Sequence, residues 1–102
     1  MFTSRNGKDI REQNLIDPIS VSKITNKILD IKIRLINQLN VLMSIMKKSL
    51  NFDNFQIILI KKRIEEAEYL LSLIRMGVSQ YQGRISFDLY KRCLKFVREN
   101  DF

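Results

Sequence analysis

Residues 21–45 read VSKITNKILDIKIRLINQLNVLMSI, and residues 57–81 read IILIKKRIEEAEYLLSLIRMGVSQY. In the first stretch Val21, Ile24, Ile28, Ile31, Leu35, Leu42 and Ile45 recur at alternating steps of three and four, with Gln38 as the one polar residue on the seam. In the second, Ile57, Ile60, Ile64, Ala67, Leu71, Ile74, Val78 and Tyr81 keep the same rhythm. Such spacing aligns side chains along one face of an α-helix, as a helical hairpin or short coiled coil requires. The expected fold is all-α, a long antiparallel helical hairpin followed by a shorter third helix.

Working outward, Asp17-Pro18 reads as a helix start, with the carboxylate capping free amides and proline in the first helical position. The first helix is expected over about 18–50, some ~50 Å long at 1.5 Å per residue. Asn51-Phe-Asp-Asn54 supplies turn and capping residues, and so short a link makes the helices antiparallel neighbours. The second helix is expected over about 53–82, ending at Gly77 or Gly83. Ser86 then caps a third over 87–100, with Phe87, Tyr90, Leu94 and Val97 on its apolar face and Cys93 beside them. Residues 1–16, mixed in charge, form a mobile arm ahead of a single domain over 17–102.

The first helix carries more apolar surface than one neighbour covers. Leu29, Ile36, Met43 and Leu50 make a second stripe beside the seam, with Leu39 and Met46 between the two. Together these positions span about 160° of the circumference when each residue advances ~100°. A 102-residue chain has little interior for its surface, which favours association. The expectation is a homodimer or a helical protein partner, with Leu29, Ile36, Leu39, Met43, Met46 and Leu50 as the interface; the alternative is a third helix folded back over this face, completing a monomeric three-helix bundle with the N-terminal arm.

Net charge is +7 and sits mainly on residues 18–50, which hold six Lys or Arg against one Asp. Lys23, Lys27, Arg34, Lys47 and Lys48 lie opposite the main seam, a ridge that suits sequence-independent contact with phosphates. Lys91, Arg92, Lys95 and Arg98 on the third helix extend that ridge if the helix packs alongside. No aromatic residue is interleaved with the first set to stack on bases, so nucleic-acid binding is the second reading rather than the first. Scattered positions, Ile19-Ser-Val-Ser-Lys-Ile, Glu68-Tyr-Leu-Leu and Gly83-Arg84, resemble the small helical subunit of type III-A CRISPR effector complexes, although that family's C-terminal aromatic helix has no counterpart. The resemblance implies an RNA-associated backbone subunit without a catalytic role.

Enzymatic chemistry is not expected. The chain has no histidine, its lone Cys93 has no imidazole to activate it, and Lys61, Lys62 and Arg63 offset Glu65, Glu66 and Glu68 as ordinary helical neighbours. No catalytic residue, metal ligand, cofactor site or phosphate-binding glycine loop is assigned. A single cysteine precludes an intrachain disulfide and fits a reducing, cytoplasmic location, the host cell's for a viral source. No run is long or apolar enough for integral membrane insertion, and the absence of tryptophan argues against peripheral binding. The functional expectation is a non-enzymatic interaction or assembly subunit, adaptor- or chaperone-like, acting as an oligomer.

Overall fold

The computed structural model describes residues 14–46 and 54–100. Their elements are β1 (Leu15–Ile16), α1 (Pro18–Met46), α2 (Asn54–Gln80), β2 (Ile85–Ser86) and α3 (Phe87–Asn100). The fold is an all-α hairpin of α1 and α2 with α3 packed on both, in a rod of 66 × 23 × 22 Å. The turn and the end of the first helix expected over 47–50 lie outside the described residues.

The α1 start follows the expected capping chemistry. Ser20 donates its N–H to one Asp17 carboxylate oxygen at 3.0 Å and its hydroxyl to the other at 2.8 Å. Val21 N–H donates to the Asp17 carbonyl and opens the helical ladder. These donors hold the Asp17 carboxyl below its ordinary 3.8.

From that start, Val21, Ile24, Ile28, Ile31 and Leu35 are buried against α2, which contributes Ile57, Ile60, Ala67, Leu70 and Ile74. Leu70 replaces Leu71 as the fully buried position because its flank of α2 is the one that α3 covers. Past Leu35 the α1 seam opens out: Gln38 is exposed, Leu42 is half-buried and Ile45 is exposed. Two helices bury only the strip along which they face each other, whereas a third closes the groove beside it.

The second helix stops at Gln80 by a Schellman-type ending. Gly83 N–H donates to the Val78 carbonyl at 2.9 Å, and Gln82 and Gly83 both take positive φ, 56° and 92°. Gly77, a candidate stop in the sequence, is instead helical, and its missing side chain admits Ile85. A Cβ there would sit 3.1 Å from Ile85 Cγ2. Ile85, fully buried, pairs with Ile16 while Ser86 pairs with Leu15 in a two-residue antiparallel ribbon. Leu15 and Ile16, assigned to the arm on sequence, are thus held in the fold; residues 1–13 lie outside the described residues.

This ribbon aims α3. Phe87 N–H donates to the Asn14 carbonyl, and the Ser86 hydroxyl caps the helix by accepting from Leu89 N–H at 3.2 Å. At the other end Arg34 Nη2 donates to the Asn100 carbonyl at 2.7 Å. The helix therefore runs parallel to α1 and reaches only as far as Arg34.

Its buried face keeps most of the expected one and is turned at one edge. Cys93 and Val97 are buried as expected, Tyr90 and Leu94 pack half-buried against the core with Leu89, and Phe96 and Asn100 are buried in addition. Phe87 is exposed, with Lys91 Nζ 5.5 Å from its ring centroid. The face is turned because α3 fills a groove between two helices and needs apolar groups toward both, so Phe96 is inserted where a single-partner stripe omits it. We expect Phe96→Ala to cost about 3–5 kcal/mol, the usual penalty for emptying a buried phenylalanine site, and Phe87→Ala to stay within ~1 kcal/mol. Urea unfolding followed by circular dichroism checks both, and equal losses would contradict the turned face.

Candidate interaction surface

Beyond Asn100 the groove that α3 fills continues along the outer half of the hairpin, where no described residue covers it. It encloses about 770 Å³. Leu42 and Ile60 form its floor and Ile33, Val41 and Leu59 its walls, with Ile33 57% and Val41 59% exposed. The amides Asn37, Gln38 and Gln56 face the same space. Its charged residues are Asp30 and Arg34, toward the end occupied by α3, and Arg63 on α2, level with Asn37.

The stripe expected to form the interface is placed mainly elsewhere. Leu29 lines a smaller cleft on the opposite flank with Leu71, Ile74 and Val78. Ile36 and Leu39 are half-buried, with Leu39 packed on the hairpin's own core, and Met43 is exposed. Leu50 and the Met46 side chain lie outside the described residues. Val41 and Leu59 were missed because neither belongs to the heptad seam or to the stripe beside it. The detectable signal was Gln38, Val41 and Ile45 stepping down one edge of the first helix.

The basic residues divide in the same way. Lys23 and Lys27 are exposed, whereas Arg34 is half-buried and spends its guanidinium on the C-terminal carbonyl of α3. Lys47 and Lys48 lie outside the described residues. On α3, Lys91, Arg92, Lys95 and Arg98 are all exposed, and Arg92 Cζ sits 5.6 Å from the Tyr69 ring centroid. Because α3 runs beside α1, these side chains lie along the same inner half of the rod as Lys23 and Lys27, with Arg92 turned toward α2. Between the two helices lies a 390 Å³ crevice lined by Lys27, Asp30, Ile31, Arg34 and Val97. Lys32 and Glu68, 3.4 Å apart, pair across the other flank, a partly exposed bridge of small energetic weight.

Two buried groups carry polar atoms. Asn100 donates its side-chain N–H to the Phe96 carbonyl at 2.8 Å, while its Oδ1 has no hydrogen-bond partner among the described residues. Burial pushes the Cys93 thiol up to about 11 from its ordinary 9.0, against a smaller opposing pull from Arg92. Its sulfur therefore stays protonated and inaccessible at neutral pH. Among the described residues no three His, Cys, Asp or Glu side chains cluster as metal ligands, and no helix is long and apolar enough to cross a membrane.

The raised thiol has a definite pH consequence. The unfolded thiol ionises from pH 9 while the folded one does not, so this contribution to stability is complete below pH 9 and lost as pH rises through about 11. We expect Cys93→Ala to flatten the loss of stability between pH 9 and 11, measured by urea unfolding at each pH. Native protein should react with iodoacetamide at least tenfold more slowly than unfolded protein.

Compared with known proteins, the chain matches no protein-family model, and neither a curated protein nor a solved structure matches it significantly. The scattered CRISPR-subunit likeness thus gains no support.

Proposed function

We propose that this protein is a non-enzymatic helical interaction or assembly subunit whose working surface is the open groove on the outer half of the hairpin. The observation that carries the reading is that, among the described residues, one groove is filled by a helix along its inner half and left open along its outer half. The open part exposes Ile33 and Val41 beside the half-buried Leu42. Contiguous apolar surface between polar rims is characteristic of places where a protein meets a partner. The filled half supports a helix as the kind of element that fits.

A photo-cross-linking amino acid placed at position 41 in the native cells should give one discrete adduct, mapped by mass spectrometry to a helical segment. The same amino acid at Ser72, away from the groove, should not. No adduct at 41, or the same adducts at both positions, would defeat the reading.

A second reading, sequence-independent nucleic-acid binding, is favoured by Lys23 and Lys27 on α1 and Lys91, Lys95 and Arg98 on α3, all exposed on two helices that pack together. Its consequence is salt-dependent affinity, with a log–log slope that falls by about 1 for each phosphate contact removed. Lys27→Glu with Lys95→Glu should reduce both affinity and slope in filter binding. Failure to bind single- or double-stranded DNA or RNA at about 50 mM salt would end this reading.

A further inference from the structure

We propose that the exposed face of α3 binds single-stranded nucleic acid, with one unstacked base held in an aromatic notch at the start of the helix and the neighbouring phosphates on the cations that follow it. This rests on the nucleic-acid reading and adds the class of strand and the residue that selects it.

The first observation is the notch. Tyr81, just past α2, and Phe87, at the start of α3, line the same 220 Å³ cavity with Asn14, Leu15, Ser86 and Asp88. The reversal through Gln82 and Gly83 and the pairing of Leu15–Ile16 with Ile85–Ser86 bring these residues together. The Phe87 ring, apolar as it is, stays 45% exposed there. The cavity is smaller than the ~300–1,000 Å³ of sites that enclose a drug-sized molecule, and it suits one planar ring. Two aromatic side chains offer a π-face for stacking, and Asn14, Ser86 and Asp88 offer polar groups for a base edge.

The second observation is what continues from the notch. Phe87, Lys91, Lys95 and Arg98 recur at steps of four, four and three, which aligns them on one face of α3. That face is opposite the buried Cys93, Phe96 and Val97. Lys91 Nζ lies 5.5 Å from the Phe87 ring centroid, so the first cation already stands at the aromatic site. From 87 to 98 the stripe is about 17 Å long at 1.5 Å per residue. An aromatic ring continued by a row of cations is the pattern of single-strand sites, where rings take bases and cations take phosphates. The lysines of α1 have no such ring interleaved with them.

Asp88 decides which part of the strand enters. A carboxylate at the notch repels phosphate and accepts a hydrogen bond from a base N–H. The backbone is thus left to Lys91, Lys95 and Arg98, and the base to the rings. A duplex fits this arrangement poorly, because its bases are stacked on both faces and presenting one costs unstacking energy. An anionic membrane would meet the same cations. However, Phe87 is the only exposed large apolar side chain of α3 among the described residues, whereas an interfacial helix buries a whole apolar face. With three cations on the stripe, and Glu99 one turn from Lys95, the electrostatic part is modest: a log–log salt slope of about −2, from ~0.7 per phosphate contact on a single strand.

The test is fluorescence polarisation of the purified full chain with a labelled single strand of about 20 nucleotides and mixed sequence, and with the duplex of the same sequence, at ~50 mM salt. The single strand should bind about fivefold more tightly than the duplex, or better, with the slope given above. Phe87→Ala and Phe87→Leu should each weaken single-strand binding about fivefold or more at unchanged slope, while Phe87→Trp should retain it, since stacking needs a ring. Lys95→Gln should instead lower the slope by about 0.7. Circular dichroism checks that each variant is folded. Equal affinity for strand and duplex, or Phe87→Leu binding like the parent, would overturn the proposal and leave the basic-surface reading in place. Flotation with phosphatidylserine vesicles that the single strand fails to compete away would overturn it in favour of a membrane. If no nucleic acid binds, the proposal and the reading beneath it fall together.

Discussion

A helix of 14 residues laid beside one of 29 can close only half of the groove that two long helices make. Most of the remaining features follow from that mismatch. Where α3 lies, the core is three-sided: Phe96, Cys93 and Val97 enter between Ile28, Ile31 and Leu70, and these side chains are almost wholly removed from water. Burial on this scale is worth roughly 1.5–3 kcal/mol for each large side chain, so the inner half of the rod holds most of the stabilising apolar contact. Where α3 stops, the same two helices keep a single buried strip, and Val41 and Leu59 face outward.

The place where α3 stops is set at both ends by short-range polar chemistry. At its start, the pairing of Leu15–Ile16 with Ile85–Ser86 and the Phe87–Asn14 hydrogen bond tie the helix to the origin of α1. A two-residue ribbon is too small to persist alone. It persists here because Ile85 is sunk into the core against Gly77, where any side chain would crowd it. At its end, the helix presents carbonyls that lack intrahelical partners. Arg34 satisfies one of them with a charged donor, which also complements the negative end of the helix dipole. A residue that reads as part of a solvent-facing basic ridge is therefore a structural cap at the boundary between the filled and open halves.

The same boundary separates two kinds of surface. Along the inner half, α1 and α3 present lysines and arginines to solvent, interrupted by Asp30, Asp88 and Glu99. Along the outer half, the groove is mainly apolar, lined also by amides and Arg63. A surface suited to long-range electrostatics and one suited to close packing thus occupy successive lengths of a single rod. They act through different physics, the first screened by salt and the second not.

The hairpin was legible in the sequence because the period of three and four residues encodes a local property: which side chains share one face of a helix. Val21 to Leu35 and Ile57 to Ala67 needed nothing more, whereas the burial of Leu70 over Leu71 did. The Asp17-Pro18 start and the Ser86 cap are equally local, each decided within one helical turn. The orientation of α3 was not legible, since Phe96 and Phe87 are both apolar and only the presence of two neighbours selects the former. The role of Arg34 depends on Asn100, 66 residues away. The groove, too, was decided only by tertiary structure. Its openness reflects where α3 ends along α1, a relation between distant parts of the chain that no local periodicity records.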